Sequence, residues 1–380
     1  MNDLQAYHRL VPFELEAGTV YSKRGVRGFP ELPPGAAAFA AAAATERIQA
    51  QLRSAPAGTC VDATGTAGIA GLLLAGEREL RVLEPSKAAL RAARRSAGDE
   101  RVAAVLPWEA AEQGAALLLL SPPADRGSRR VQLEIAAAAR ALAPDGLLLL
   151  QLHKDQGAKR YAKEAAQHFR SFELVHREKG WRFYVGSGSR QGAGQGVEEL
   201  LWTEFGALDL HLVAHPGVYA AGKLDPGTKV LLDMLPVDRF AGQELLDLGC
   251  GYGLIGLACA AAGARVTAVD DDLAAVRSAQ RNFAAQDLEG QVLHSDVDSE
   301  LGQQEFGVVV TNPPFHVGKG VRLDVPAAFF QAARRLLRPG GELWLVANRQ
   351  LPYEPLLKEW KDVQLLAEDA GFKVLRAVKP

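Results

Sequence analysis

The chain has 380 residues, of which 48% are hydrophobic and 23% charged, and its formal net charge is −2 at pH 7. These proportions are those of a soluble globular protein, and the length predicts two domains rather than one. The longest apolar runs, such as residues 117–120 and 147–150, are far too short to span a bilayer. We therefore expect no association with a membrane.

The amino terminus and the cysteines indicate the compartment. No basic region followed by an apolar run opens the chain, so no secretory signal is visible. The three cysteines, Cys60, Cys250 and Cys259, form no C-x-x-C pair, and their odd number argues against a disulfide framework. Both observations predict a cytoplasmic protein.

The small net charge hides an asymmetry between the halves. Residues 1–190 contain 26 Lys and Arg residues and 20 Asp and Glu residues, a net charge of +6, whereas residues 191–380 contain 17 and 25, a net charge of −8. A basic half beside an acidic half indicates a polyanionic partner for the first half. The alternative is a chance distribution of surface charge.

The first elements in chain order divide the protein. The Ala-rich run 36–44 predicts a helix. The Gly-rich segment 186–196 predicts a flexible linker. It would separate a first domain of residues 1–185 from a second domain of residues 197–380.

In the second half, short apolar runs alternate with longer helical patterns. They predict strands at 244–248, 264–269, 291–293, 306–311 and 342–347, and helices at 254–262, 273–285 and 329–337. A closing pair of strands after residue 358 would turn at Gly371. This alternation predicts an α/β domain with a mostly parallel sheet and helices on both faces.

The two halves repeat one series of motifs. Residues 60–68 (C-V-D-A-T-G-T-A-G) correspond to residues 245–253 (L-L-D-L-G-C-G-Y-G) at an offset of 185. Residues 120–123 (L-S-P-P) correspond to residues 311–314 (T-N-P-P) at an offset of 191. The order of the motifs is constant while the offset drifts, which is typical of a duplicated domain with small loop insertions.

The first motif of a candidate site is D-L-G-C-G-Y-G at residues 247–253. It follows a predicted strand and opens a predicted helix. Its glycines, Gly249, Gly251 and Gly253, allow positive φ and close approach of a ligand to a helix end with unpaired amides. The spacing G-x-G-x-G differs from the G-x-G-x-x-G of dinucleotide sites, and the alternative is a structural tight turn.

Two acidic positions follow the next two strands. Asp270 lies 19 residues after Gly251, where an acid accepts hydrogen bonds from both ribose hydroxyls of a nucleotide. The alternative is that Asp270, Asp271 and Asp272 cap the following helix. Asp296 follows the third strand and could accept a hydrogen bond from an adenine amine, or it could be an ordinary loop acid.

The motif T-N-P-P-F at residues 311–315 ends the fourth strand. Its prolines lack backbone donors and stiffen the loop, and Asn312 adds a side-chain carbonyl. An exocyclic amine on a purine is a poor nucleophile because its lone pair is delocalised. The Asn312 side chain and the Pro313 carbonyl could bind its two hydrogens, while Phe315 could stack on the base. The alternative is an ordinary strand that ends at a proline.

With these motifs in order, the second half resembles the class I S-adenosylmethionine-dependent methyltransferases that carry an N-P-P-F motif. The whole chain resembles the tandem-domain bacterial guanine-N2 methyltransferases of ribosomal RNA, the small-subunit enzyme and its large-subunit sister. Further matches are P-G-V-Y at 216–219, L-D-P-G-T at 224–228 and V-A-N at 346–348. Tyr219 stands where phenylalanine is more usual. The resemblance covers nearly all of residues 197–380 and, more weakly, the first half.

The resemblance implies two tandem Rossmann-like domains, each with a mostly parallel seven-stranded sheet. It implies methyl transfer from S-adenosylmethionine to a guanine amine, with 16S ribosomal RNA as the favoured substrate, S-adenosylhomocysteine as product and no metal. The implied catalytic residues are Asn312, Pro313, Pro314 and Phe315. The implied cofactor-binding residues are Asp225, Thr228, Asp247, Gly249, Cys250, Gly251, Gly253, Asp270, Asp271, Asp296, Val297 and Asn312.

Other substrates and another class of protein stay open at this point. A guanine in 23S ribosomal RNA, an adenine, or a glutamine amide of a protein could accept the methyl group, since related N-P-P motifs serve these targets. A non-catalytic RNA-binding assembly factor is the alternative outside the enzymes. The intact motif at residues 312–315 argues against it, because a binding module has no need of that loop.

The first half has lost the residues that the chemistry needs. Thr64 and Thr66 replace two loop glycines, Ser121 replaces the asparagine, and Ala124 replaces the phenylalanine. We therefore expect an RNA-positioning or structural domain in a monomer that binds ribosomal RNA or the small subunit. The candidate phosphate contacts are Lys23, Arg24, Arg27, Arg91, Arg94, Arg95, Arg126, Arg129 and Arg130.

Overall fold

The computed structural model describes residues 3–15, 18–112, 114–314, 316–317, 320–321 and 323–380. The chain divides into two compact units. The first unit is residues 10–202, and the second unit combines residues 1–9 with residues 203–380. The short helix α1 (Asp3–His8) therefore belongs to the second unit.

The first unit contains a seven-stranded sheet with the strand order β5–β4–β3–β6–β7–β9–β8. The first five of these strands pair in parallel, and β9 pairs antiparallel with both of its neighbours. A separate hairpin joins β1 to β2. The strands are β1 (Val11–Leu15), β2 (Gly18–Ser22), β3 (Thr59–Ala63), β4 (Glu79–Leu83), β5 (Val102–Ala103), β6 (Ala115–Leu120), β7 (Leu142–His153), β8 (Phe169–Glu178) and β9 (Trp181–Ser189).

Helices cover both faces of this sheet. Along β6, the side chains of Leu117 and Leu119 enter one apolar cluster, and those of Leu118 and Leu120 enter the other. This division follows from the alternation of side chains along a strand. The helices are α2 (Pro34–Ala43), α3 (Glu46–Ser54), α4 (Ile69–Leu74), α5 (Lys87–Ala97), α6 (Ser128–Ala141), α7 (Ala158–Ala165) and α8 (Val197–Leu200).

The second unit repeats the same topology. Its seven-stranded sheet has the order β14–β13–β12–β15–β18–β20–β19, in which β20 pairs antiparallel with both of its neighbours. The strands are β10 (Thr203–Ala207), β11 (Leu210–Ala214), β12 (Glu244–Leu248), β13 (Arg265–Asp270), β14 (Gln291–His294), β15 (Phe306–Thr311), β16 (His316–Val317), β17 (Gly320–Val321), β18 (Leu337–Asn348), β19 (Lys361–Asp369) and β20 (Phe372–Val378). The helices after α1 are α9 (Pro226–Met234), α10 (Leu254–Ala261), α11 (Leu273–Ala285) and α12 (Asp324–Leu336).

The predicted fold is confirmed, because both sheets have seven strands, a mostly parallel order and the same connections. Most predicted elements of the second unit agree with the structure within one or two residues. The helix predicted at 329–337 is longer and begins at Asp324. The carboxyl ends of β12, β13, β14 and β15 lie side by side in the sheet, so the loops that follow them meet at one edge.

The predicted linker at 186–196 is wrong in its first part. Residues 186–189 belong to β9, where the α-carbon of Gly186 lies so close to the Phe169 ring that a Cβ would come within 2.9 Å of it. Beyond the strand, the backbone amide of Gly194 donates to His168, and Arg190 donates to the Phe169 carbonyl. Gly186 and Gly194 therefore permit close packing within the first unit. The division between the two units falls after residue 202 instead.

Within the described ranges, no helix is long and apolar enough to cross a membrane.

Candidate active site

The glycine loop of the second unit joins β12 to α10. Gly249, Gly251 and Gly253 all have positive φ, as their spacing predicted. The backbone amides of Gly249 and Cys250 both donate to the Val269 carbonyl at 2.9 Å, which ties the loop to the neighbouring strand. The loop is therefore held by its own backbone at the carboxyl edge of the sheet.

The space around the three glycines differs. A Cβ at Gly253 would lie 3.0 Å from Ala279, and a Cβ at Gly249 would lie 3.0 Å from the Phe329 ring. A Cβ at Gly251 would meet nothing within 4 Å. Gly249 and Gly253 thus allow close packing inside the unit, whereas Gly251 borders open space at the edge where ligands bind in such sheets.

Asp270 ends β13 and supports the glycine loop. One of its carboxylate oxygens accepts from the Gly251 amide at 2.9 Å, and the other accepts from the Asp272 amide at 2.9 Å. Asp272 caps α11 by accepting from the Ala274 amide. The capping role considered for this acidic run therefore belongs to Asp272, and Asp270 stays beside the loop.

Asp247 is fully buried beneath the glycine loop. Its Oδ2 accepts from the Gly256 amide at 2.9 Å, whereas its Oδ1 has no hydrogen-bond partner among the described residues. Burial raises the pKa of this carboxyl to about 7, with a smaller contribution from Asp270, although the bond from Gly256 lowers it. This buried acceptor oxygen has no described donor and lies near the open space at Gly251. It therefore suits a ligand that brings a positive charge or a hydrogen-bond donor.

Asn312 follows β15 and is oriented by helix α9. Its side-chain amide donates to Asp225 Oδ2 at 3.1 Å and to Thr228 Oγ1 at 3.0 Å. Asp225 is the N-cap of α9, accepts from the Thr228 amide at 2.8 Å, and so is itself fixed. Because both bonds use the nitrogen of Asn312, its carbonyl oxygen keeps its acceptor capacity for a substrate.

The proline loop continues from Asn312. Thr311 donates its hydroxyl proton to the Leu248 carbonyl at 2.6 Å, which joins this loop to the glycine loop. Pro313 is buried and Pro314 is exposed. Phe315, which the sequence assigned to stacking on a base, lies outside the described residues.

Tyr219 is an aromatic residue at this site whose hydroxyl the sequence could not assign. Its hydroxyl donates to Asp225 Oδ1 at 2.8 Å, yet its side chain is 62% exposed. A phenylalanine would lack this bond. Tyr219 therefore adds a donor to the carboxylate that orients Asn312.

Asp296 follows β14, and its carboxylate is 1% exposed. Two residues of α1 surround it: the Tyr7 hydroxyl donates to Oδ1 at 3.1 Å, and His8 Nδ1 lies 3.4 Å from Oδ2. The next residue, Val297, is buried with a φ of +56°. No sequence motif indicated Tyr7 or His8, because they lie nearly 290 residues from Asp296 in the chain.

The corresponding loop of the first unit is filled by its own side chains. The Thr64 hydroxyl donates to Asp62 at 2.6 Å and lies 2.7 Å from the Thr66 hydroxyl, and both threonines are buried. Where Asn312 stands in the second unit, Ser121 donates to the buried Gln151 at 2.8 Å. Asp62, Thr64, Thr66 and Ser121 are thus already hydrogen-bonded within this unit.

The predicted phosphate contacts of the first unit need correction at Lys23 and Arg130. Lys23 is 0% exposed and donates to the Arg24 carbonyl. Arg130 is 2% exposed, pairs with the buried Glu134 and stacks over the Trp108 ring at 4.2 Å. Lysine and arginine are common at surfaces, so the sequence could not distinguish these buried positions.

The other basic positions differ in what they contact. Arg129 is half-buried and donates to the carbonyls of Leu200 and Trp202, which occupies its guanidinium. Arg27 pairs with Asp125 at 3.1 Å. Arg94 and Arg95 are exposed in the last turn of α5, and Arg95 lies over the Tyr21 ring.

In the described part of the chain, no group of three or more His, Cys, Asp or Glu side chains could hold a metal ion.

Comparison with known proteins places this geometry in a family. The model of the methyltransferase small domain matches residues 209–376, which contain the glycine loop and the proline loop. The structure of the T. thermophilus 16S rRNA N2 G1207 methyltransferase (RsmC), in complex with AdoMet and guanosine, is 37% identical with a TM-score of 0.85. The alignment covers 99% of this chain and 100% of that one. The chain belongs to the ribosomal RNA small subunit methyltransferase C family.

Curated members of the methyltransferase C family match over shorter regions. The protein of Pseudomonas aeruginosa is 32% identical over 256 residues, which cover 66% of this chain and 76% of that protein. The protein of Chromohalobacter salexigens is 41% identical over 184 residues, or 48% of this chain and 55% of that protein. In this last alignment and several others, the chain spans about half the length of the methyltransferase C protein that it matches.

Proposed function

We propose that the second unit transfers a methyl group from S-adenosylmethionine to the exocyclic amine of a guanine in 16S ribosomal RNA. The products are S-adenosylhomocysteine, N2-methylguanosine and one proton, which the amine nitrogen loses as its bond to the methyl group forms. The observation that carries the proposal is Asn312, whose amide nitrogen is bound by Asp225 and Thr228 so that its carbonyl oxygen is left for a donor. The name and ligands of the T. thermophilus relative support the same substrate and cofactor.

The glycine loop and two carboxylates are suited to hold the cofactor. Gly251 borders open space, and Asp270 lies beside it at the end of β13, in the position of an acid that accepts from ribose hydroxyls. Asp247 has one buried oxygen without a described partner, which suits the donor that a bound ligand would bring. When bound, the cofactor supplies a methyl group on a sulfonium, which is an activated leaving group.

The proline loop is suited to prepare the amine. The Asn312 oxygen and the Pro313 carbonyl are two acceptors for the two amine hydrogens, and a bond to each turns the nitrogen lone pair toward the methyl group. No strong base is needed before attack, because the leaving group is already activated. The acceleration therefore comes mainly from positioning of the reacting atoms.

We further propose that the first unit positions the RNA. It contains 25 Lys and Arg residues and 21 Asp and Glu residues, a net charge of +4, while the second unit contains 18 and 24, a net charge of −6. Phosphate contacts require exposed cations, and Arg94 and Arg95 on α5 provide two. We also propose a cytoplasmic monomer, in keeping with a ribosomal RNA substrate.

The proposal is tested by mass spectrometry of nucleosides from 16S ribosomal RNA. A strain that lacks this protein should lose one N2-methylguanosine, and the wild-type chain should restore it. The Asn312→Ala chain, expressed at the same level, should not restore it. The same strains are compared by mass spectrometry of 23S ribosomal RNA nucleosides and of peptides. Loss of a methylated adenine, of a methylated guanine in 23S ribosomal RNA, or of a methylated glutamine would instead support one of the other substrates.

A further inference from the structure

The amino-terminal helix is part of the second unit. Although 193 residues of the first unit separate α1 from β10 in the chain, Leu4 and Tyr7 are buried in the same apolar cluster as Val269 and Val297. The helix also packs against α12. Helix α1 thus completes the core beneath the loop that follows β14.

Tyr7 and His8 connect α1 to that loop through two buried carboxylates. Tyr7 donates to Asp296, and burial raises the pKa of the Tyr7 phenol, so it stays a donor. The two ring nitrogens of His8 face different acids: Nδ1 lies 3.4 Å from Asp296 and Nε2 lies 2.8 Å from Asp298. Asp298 also accepts from Arg335 of α12 at 2.7 Å.

The loop 295–298 is held by hydrogen bonds within the loop and to Ser299, and its backbone is also bonded to Asp270, the residue that supports the glycine loop. The Ser295 hydroxyl donates to the Val297 carbonyl, and the Asp296 amide donates to the Ser299 hydroxyl. The Ser295 amide donates to the Asp270 carbonyl at 2.9 Å. A displacement of the Asp296 carboxylate would therefore be transmitted to the backbone of Asp270.

We propose that Tyr7 and His8 are positioning residues for cofactor binding, which act by fixing Asp296 and Asp298 and thereby the loop 295–298. The inference rests on the proposed function, because it assumes that this edge of the sheet binds S-adenosylmethionine. It changes the assignment of Asp296. The Asp296 carboxylate is 1% exposed and bonded to α1. In this proposal Asp296 acts by holding the loop 295–298 in place instead of contacting the adenine amine.

The first test compares two tyrosines in the full-length chain. Tyr7→Phe removes only the donor to Asp296. Tyr353→Phe is the matched control, because Tyr353 is buried in the same cluster and its hydroxyl has no described hydrogen-bond partner. Calorimetric titration should show a Kd for S-adenosylmethionine raised about threefold to tenfold by Tyr7→Phe, the range for one net hydrogen bond. The control should bind as the wild type does.

The second test uses pH, because His8 faces Asp296 and Asp298 and Asp298 faces Arg335. Burial lowers the pKa of His8, but its hydrogen bonds to the two aspartates raise it, and the net shift is upward. The contact is therefore complete below the ordinary His pKa of about 6.5 and is lost as pH rises through the raised value. Affinity for the cofactor should fall over that range in the wild type.

His8→Gln isolates this contribution. Asp247, whose pKa burial raises to about 7, is present in both proteins, as are Asp271 and Asp324 near Tyr7, so the difference between the two pH profiles reports His8. The variant should show weaker binding below pH 6.5 and converge on the wild type at higher pH. A merely structural role would lower affinity by the same factor at every pH.

The outcomes separate the inference from the proposed function. If the wild-type chain binds no S-adenosylmethionine, the proposed function fails. If the wild type binds it but Tyr7→Phe and His8→Gln bind equally well at every pH, the inference is overturned. An equal loss in Tyr353→Phe would overturn it as well, because the effect would then come from the core and not from Asp296.

Discussion

In the proposed mechanism, the chemistry depends most on the Asn312 side chain. Its amide nitrogen is bound to Asp225 and Thr228, so the oxygen proposed to face the substrate is oriented by the protein before the substrate binds. Replacing an orienting acceptor that acts mainly during attack should lower turnover more than binding.

We therefore expect Asn312→Ala to reduce the single-turnover rate by about 10²–10³-fold, the range for removal of one oxyanion-hole donor. The Kd for S-adenosylmethionine should stay close to that of the wild type. The two quantities are measured by rapid-quench kinetics and by calorimetry on the same preparation. A near-normal rate would exclude the proposed role, and a large loss of cofactor affinity would assign Asn312 to cofactor binding.

At the residue scale, sequence reasoning succeeded where a motif lies on consecutive positions. The glycines at 249–253 have the backbone that their spacing predicts, and Asp270 lies beside them. It failed where partners come from distant positions or where burial decides. Tyr7 meets Asp296 only through the fold, and the burial of Lys23 and Arg130 depends on packing that residue type does not determine.

The glycine loop is the element whose function is easiest to separate from its stability. Gly251 and Gly302 have nearly equal φ values of +56° and +54°, and a Cβ at either would meet nothing within 4 Å. An alanine at either position should therefore cost a similar backbone strain of about 1 kcal/mol.

Of the two glycines, only Gly251 borders the proposed cofactor. Gly251→Ala should therefore raise the Kd for S-adenosylmethionine at least about tenfold, which corresponds to a loss of about 1.4 kcal/mol of binding free energy. Gly302→Ala should leave the Kd unchanged and should lower the melting temperature by about as much as Gly251→Ala does. Thermal denaturation and calorimetry of the two variants make the comparison. Equal Kd values in both variants would place the cofactor away from this loop.

Helix α5 is the element that best presents cations to RNA. Arg94 and Arg95 are exposed in its last turn, where positive charge also interacts well with the helix end. Arg129 and Arg130 are unsuitable for this test, because their guanidinium groups are bonded within the unit and their reversal would disturb its packing.

Reversal of Arg94 and Arg95 to Glu should weaken binding to ribosomal RNA and flatten its dependence on salt, since fewer counterions are released. The Kd for S-adenosylmethionine should not change. Arg47→Glu with Arg53→Glu is the matched control, as both residues are exposed on α3 of the same unit. If the control pair weakens RNA binding equally, the effect reflects net charge alone, and α5 is not an RNA contact.

At the scale of elements, the strands and helices of the second unit were predictable from apolar periodicity. The Gly-rich segment was not, because glycine frequency indicates freedom in an isolated chain but also permits close packing in a folded one. Gly186 lies in a strand against Phe169, and the α-carbon of Gly194 lies against Arg140. Composition alone does not distinguish these two uses of glycine.

At the scale of the whole molecule, the duplication was visible in the sequence and its consequence is visible in the structure. Both units keep the same sheet order, but in the first unit Asp62 is bonded to Thr64 and Gly71, whereas the equivalent Asp247 keeps one oxygen without a described partner. In the first unit, the Thr64 hydroxyl thus supplies the kind of donor that Asp247 lacks among the described residues.

The full-length chain should consequently bind one S-adenosylmethionine. Calorimetric titration should give a stoichiometry of about one per chain, as one competent site predicts. Asp270→Ala should abolish or strongly weaken that site, since Asp270 supports Gly251. Two equivalent sites in the wild type, or a strong site that survives in Asp270→Ala, would show that the first unit has kept a working pocket.

The most direct measurement of the central claim is the position of a labelled methyl group. Small-subunit ribosomal RNA from cells that lack this protein would be incubated with the purified chain and S-adenosylmethionine carrying a deuterated methyl group, then digested to nucleosides and analysed by mass spectrometry. The label should appear in N2-methylguanosine, at about one per RNA molecule, the outcome of a single extruded target, and should be absent with Asn312→Ala. Label on adenosine, on another atom of guanosine, or on no nucleoside at all would contradict the assignment of the second unit as a guanine-N2 methyltransferase.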